Sequence, residues 1–225
     1  AMLRVIRNHR RAARGEQGGY EGLDTLPVAL DHEAIAATLP LEKFDVGDPK
    51  LFQDPPSPAE AKFQAELAHW LHEETGYQWI QGTRPQTLAA ALTDSPAGLA
   101  AWIAEKFHRW TDNDGRIESA VPRDRLLANI ALYWFTGCIG ASFWPYYDRL
   151  HGAEMIPEGQ PVTVPAGYAE FPHEILRPPR SLAARYYRDI RRWTVMPRGG
   201  HFAALEVPDL LAGEVAAFYR PLRGG

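Results

Sequence analysis

Met196-Pro197-Arg198-Gly199-Gly200-His201-Phe202 sets a histidine on a glycine-rich loop, after the short apolar run Trp193–Met196 and before a helix opening at Pro208. Two glycines let the backbone turn sharply and leave the imidazole uncrowded. A side chain that titrates near neutral pH, held on such a loop, is suited to proton transfer.

Working outward, Val162 and Val164 alternate with polar neighbours, as in a strand. Arg180 to Ile190 follows a helical period, with Leu182, Tyr186 and Ile190 on one face. Arg192–Met196 reads as a second strand. The helix from Pro208 turns Leu211, Val215 and Phe218 inward. Strand, helix, strand, helix predicts a parallel βαβ unit. Sites in such sheets form beyond the carboxyl ends of the strands. Phe171-Pro172-His173-Glu174 follows the first strand and the histidine loop follows the second. If the strands are neighbours, Glu174 meets His201. A carboxylate bonded to one ring nitrogen fixes the tautomer and leaves the other nitrogen to take a proton from water. A lone histidine is more often structural, so the inference depends on that pairing.

Upstream the chain is helical. Ser57-Pro58-Ala59-Glu60 is a capping box with proline at the first helical position. Phe63, Leu67, Trp70 and Leu71 share one face, and Gly76 marks a stop. Thr87–Leu92 predicts a short helix. Asp94-Ser95-Pro96 opens another, with Leu99, Trp102, Ile103 and Phe107 inward. Thr111–Gly115 is a polar loop. Pro122 opens a long helix through Leu126, Leu127, Ile130 and Trp134, interrupted near Gly137 and Gly140. Before residue 57 the pattern is weak. Met2–Arg14 carries five arginines and no acid, the mark of a solvated helix or loose arm. Leu26–Leu30 is a weak strand, and Phe52–Pro58 a rigid connector. The expected organisation is a poorly defined segment over 1–56, a helical block over 57–155 and an α/β portion over 156–225.

Composition narrows the function. A net charge of −4 gives no reason to expect nucleic acid or acidic membranes as partners. No apolar run approaches the roughly 18 residues of a membrane span. The single cysteine, Cys138, excludes an internal disulfide and favours a reducing, cytoplasmic setting. It reads as a buried structural thiol. His69, His72 and Glu73 have metal-binding spacing on a helix, but a solvated face accounts for them. No metal or other cofactor is expected. Arg198-Gly199-Gly200 lacks the spacing of a phosphate loop.

The chain resembles the microsomal-type epoxide hydrolases, enzymes of the α/β-hydrolase fold, from about Pro58 to Arg223. The resemblance is carried by Gly76-Tyr77 with Ile80-Gln81-Gly82-Thr83-Arg84-Pro85-Gln86-Thr87, and by Asp94 to Ile103. Glu105-Lys106-Phe107, Tyr133 to Gly137, Phe171 to Glu174 and Arg198 to Ala204 continue it in order. It implies a helical lid followed by the C-terminal βαβα end of a parallel sheet. His201 would be the general base, Glu174 its orienting acid, and Tyr77 and Tyr146 the lid tyrosines that donate to the epoxide oxygen. Tyr147 is adjacent to Tyr146, so that assignment could shift by one. Trp134, Trp144 and Phe202 would line the substrate site, for a small apolar or aromatic epoxide.

That chemistry also needs an aspartate nucleophile on a sharp strand-to-helix turn, and a histidine-glycine-tryptophan-proline loop. Neither motif occurs here. Asp31 follows Val28-Ala29-Leu30, but Glu33 stands where a small residue is needed. Asp45 and Asp48 lie in a proline-flanked loop. The expectation is that the chain is part of a longer enzyme, works with a partner chain, or is a non-catalytic remnant or interaction module. Ester or lactone hydrolysis needs the same missing nucleophile. A poorly covered sheet would favour homo-oligomerisation.

Overall fold

The computed structural model describes residues 55–152 and 161–223. The arginine-rich segment, the Leu26–Leu30 strand, the first three residues of the proline connector, and Asp31, Asp45 and Asp48 lie outside the described residues.

Helix α1 (Pro58–Glu73) starts as the capping box predicts. Ser57 Oγ accepts from the Glu60 N–H, and Glu60 accepts from the Ser57 N–H at 3.0 Å. Glu60 is fully buried, and this cap holds its carboxyl below the usual carboxylate range. Phe63, Leu67 and Trp70 pack against Leu176 and Leu182, so α1 lies on the later part of the chain.

Gly76 does not end this helix. Glu74 caps it, and Gly76 instead opens α2 (Gly76–Thr83), which the periodicity did not reveal. Helices α3 (Pro85–Asp94) and α4 (Pro96–Trp110) each begin at a proline. In α4 the Ser95 hydroxyl caps by accepting from the Gly98 N–H at 3.0 Å. Helix α5 (Arg123–Thr136) ends at Gly137, whose φ of +61° provides a left-handed cap. Gly140, expected to break the helix, lies inside the short α6 (Ile139–Ser142), which α7 (Trp144–His151) follows. Leu92, Leu99, Ile139 and Phe143 form the buried centre of this block, with Trp102, Ile103 and Trp134 around it. Leu127 on α5 is half exposed. Cys138 is half-buried rather than buried.

The sheet has two strands among the described residues, β1 (Ala166–Glu170) and β2 (Ile190–Val195), paired in parallel. β1 thus lies beyond the expected Val162–Val164 segment, of which only Val162 makes an isolated bridge, to Tyr187. The reason is packing. Gly167 lets the Phe218 ring sit directly on the strand, where an added Cβ would lie 2.7 Å from it. Helix α8 (Arg180–Tyr186) connects the strands and is shorter than its periodicity implied. Ile190 leaves the helical series because it pairs with Ala166. After α9 (Ala203–Glu206) comes α10 (Pro208–Tyr219). Leu211 and Phe218 are partly buried there, while Val215 is exposed, against expectation. Phe171, Met196, Ala203 and Val207 close a cluster under both strand ends.

Leu182 is fully buried at the α1–α8 contact. Leu182→Ala is expected to lower stability by about 2–5 kcal/mol in urea unfolding. The Glu60 cap contributes stability at neutral pH that is lost as pH falls through its lowered folded value. Glu60→Gln should therefore flatten the acid limb of the stability curve, and an unchanged limb would contradict that role.

Candidate active site

Parallel pairing carries both strands to the same edge. Met196 N–H donates to the Glu170 carbonyl at 2.8 Å, and His173 N–H donates to the Gly199 carbonyl at 3.1 Å. The acid loop and the histidine loop therefore run side by side. Arg177 fixes the acid loop, donating to the Pro172 carbonyl at 3.0 Å and to Glu66 on α1 at 2.7 Å.

Glu174 and His201 meet as the spacing predicted. His201 Nδ1 lies 2.6 Å from Glu174 Oε1. The same oxygen accepts the Ile175 N–H at 2.7 Å, which fixes the carboxylate from the other side. With Nδ1 engaged, Nε2 is the nitrogen presented for proton transfer.

The two tyrosines also come together. Tyr77 stands at the start of α2 and Tyr146 on α7, with ring centroids 5.7 Å apart in an edge arrangement. Gly82 permits the approach of these helices: a Cβ there would lie 3.4 Å from the Tyr146 carbonyl and 3.2 Å from Leu150. Tyr147 faces elsewhere, stacked on His151 at 4.1 Å, so Tyr146 is the member of the pair that reaches Tyr77. Gln78 donates to the Tyr77 hydroxyl at 2.8 Å, which leaves the phenol proton to be donated elsewhere. The side chain of Gln81 bonds the Tyr146 phenol. Burial raises the pKa of both phenols, keeping them protonated donors at neutral pH.

Trp110, the last residue of α4, joins the two pairs, and the sequence reading did not single it out. Its ring lies 5.3 Å from Tyr77 and 5.3 Å from the His201 imidazole, each edge-on. Its carbonyl accepts the His201 N–H at 2.9 Å. Gly200 makes this possible, since a Cβ there would sit 2.5 Å from that carbonyl oxygen. Phe202 stacks on Phe107 at 4.3 Å and lies 5.1 Å from His201. Of the three expected substrate-lining residues, Phe202 lies at this centre. Trp134 packs into the cluster around Phe143, and the ring of Trp144 contacts Tyr147.

Asp112 and Glu206 were likewise passed over. Asp112 accepts the Gly199 N–H at 2.8 Å and faces His173 Nε2 at 3.2 Å. Glu206 accepts the Asp112 N–H at 2.7 Å and the Phe202 N–H at 3.0 Å. A polar loop and a helical acid gave no signal in sequence because their partners are backbone amides. Among the described residues no cluster of His, Cys, Asp and Glu could hold a metal ion. His69 is exposed and His72 pairs with Glu73 at 2.6 Å on the surface, as a solvated face requires. No single described helix is long and apolar enough to cross a membrane.

The raised phenols give a measurable consequence. In an alkaline titration followed by tyrosinate absorbance, Tyr77→Phe and Tyr146→Phe should each remove amplitude from above the ordinary tyrosine value of about 10. Loss of amplitude at or below that value would contradict the buried arrangement. The folded state holds these protons longer than the unfolded chain does. Stability therefore falls as pH rises from the unfolded tyrosine value through the folded ones.

No family model matches the chain. It is 40% identical over 164 residues to epoxide hydrolase 1 of Oryctolagus cuniculus, covering 69% of this chain and 36% of that protein. It is 43% identical over 156 residues to epoxide hydrolase 1 of Sus scrofa, covering 66% and 34% respectively. The crystal structure of juvenile hormone epoxide hydrolase from Bombyx mori superposes with a TM-score of 0.66 at 31% identity, over 78% of this chain and 43% of that one. The chain thus spans about a third of the length of the curated relatives it matches. Over that part it is related in sequence and structure to the C-terminal portion of the microsomal-type epoxide hydrolases, and it carries the corresponding part of the α/β-hydrolase fold.

Proposed function

We propose that the chain supplies the water-activating and ring-opening groups of an epoxide hydrolase, which converts an epoxide to a vicinal diol through an alkyl-enzyme ester. One observation carries the reading: an acid–base pair and a pair of neutral phenols meet across a single indole, that of Trp110. In this scheme a carboxylate attacks an epoxide carbon and the C–O bond breaks. Tyr77 and Tyr146 donate hydrogen bonds to the developing alkoxide, and one gives it a proton. His201 Nε2 then takes a proton from water. The hydroxide attacks the ester carbonyl, which releases the diol and restores the carboxylate, and the imidazolium proton returns to the phenolate to restore both groups. Glu174 holds the imidazole and stabilises its cation.

We place the attacking carboxylate outside the described residues, on an upstream segment or a partner chain, with Asp31, Asp45 and Asp48 as the candidates of this chain. Exposed Val164 and Val195 beside a two-stranded sheet suit further strands or a second copy. The rings of Trp110, Tyr77 and Phe202 suit an apolar or aromatic epoxide.

The test is diol formation from an aryl epoxide by the 225-residue chain, alone and co-expressed with the N-terminal part of the rabbit relative. Turnover is expected where a carboxylate is supplied. His201→Ala should lower it by about 10²–10⁴-fold and leave protein heavier by one epoxide. Absence of diol from a folded chain in both arrangements would instead mark a non-catalytic module. Turnover that survives His201→Ala would remove the assigned role.

A further inference from the structure

Four successive backbone N–H groups, from Gly199 to Phe202, form the turn that presents the imidazole. Each has an acceptor, and none of these is an ordinary secondary-structure partner. Gly199 N–H donates to Asp112 Oδ2 at 2.8 Å. Gly200 N–H donates to the Glu206 carboxylate. His201 N–H donates to the Trp110 carbonyl at 2.9 Å. Phe202 N–H donates to Glu206 Oε1 at 3.0 Å. The second Glu206 oxygen accepts the Asp112 N–H at 2.7 Å. Glu206 therefore bonds both the histidine turn and the segment leaving α4, whose residue Trp110 touches Tyr77 and His201.

We propose that Glu206, acting with Asp112, is a positioning residue that holds the His201 imidazole in register with the helical block that carries Tyr77. This rests on the epoxide hydrolase reading for its functional meaning, not for its geometry. Neither carboxylate touches a reacting atom. Both are acceptor-only groups, and each oxygen can take more than one N–H. A carboxylate with three amide donors makes charge-assisted bonds that a neutral side chain does not replace. Burial, with the neighbouring Asp112 carboxylate, raises the Glu206 carboxyl above its usual value, and the amide bonds oppose that rise. The arrangement also explains why both loop residues before His201 are glycine. At Gly199, with φ of +109°, a Cβ would sit 2.7 Å from Val207 and 2.9 Å from Phe171. At Gly200 it would collide with the Trp110 carbonyl.

The test needs no turnover and is made on the full chain, so its failure is separable from failure of the hydrolase reading. Amide hydrogen exchange and the His201 ring-proton spectrum are recorded for the native chain, Glu206→Ala and Glu206→Gln. In Glu206→Ala the amides of Asp112, Gly200 and Phe202 should exchange about 10- to 100-fold faster, while Leu67 in α1 keeps its rate. The downfield Nδ1 proton shared by His201 and Glu174 should broaden. Glu206→Gln keeps the shape and one acceptor oxygen. It should release the Asp112 amide or the turn amides, but not both sets, and it decides the matter if the alanine variant does not fold. Unchanged loop exchange overturns the proposal. So does acceleration that includes Leu67 equally, or a sharp, unmoved Nδ1 proton, since either would reduce Glu206 to a general stabiliser.

Discussion

The His201 N–H donates to the Trp110 carbonyl at 2.9 Å, and the arrangement of the site follows from that contact. It fixes the turn after β2 to the last residue of α4, and so joins the sheet to the helical block beside the imidazole. Neither side could approach so closely with a Cβ on residue 200. The indole attached to that carbonyl then separates the imidazole from the nearer phenol by one ring's width. Ordinary apolar contacts back it: Phe202 and Leu205 pack on the cluster of Phe107, Val121 and Leu126.

Around this contact the two functional pairs have different surroundings. His201 and Glu174 remain partly exposed, which suits the proposed role of His201 as a base that meets water. Tyr77 and Tyr146 are shielded, with their hydroxyls bonded by Gln78 and Gln81 and their ionisation opposed by burial. In the proposed mechanism, a donor that stays neutral serves ring opening and a base that stays wetted serves ester hydrolysis.

Sequence made some of this legible. Glu174 and His201 each follow a strand, and parallel pairing alone brings such positions together. Tyr77 and Tyr146 were reached only through the family resemblance, because no local pattern marks two tyrosines on separate helices as partners. Trp110, Asp112 and Glu206 escaped notice because they act on backbone amides, which carry no residue signature. β1 was misplaced for a packing reason. Ala166-Gly167-Tyr168-Ala169-Glu170 has weak strand propensity, yet Gly167 accommodates the Phe218 ring and the alternating valines before it do not serve. Leu182, Tyr186 and Ile190 share a helical period, but pairing with Ala166 overrides it at Ile190.

The bonds that assemble the site span long stretches of chain. Gly199 and Asp112 are 87 residues apart, Asp112 and Glu206 are 94, and Arg177 and Glu66 are 111. The helices, by contrast, form from neighbours in sequence. Closing large loops costs entropy before any contact repays it, so this joining belongs to the late part of folding. A chain halted before that step would hold its helical content and lack its acid–base pair altogether. Helicity is therefore a poor gauge of whether a preparation has acquired its functional geometry.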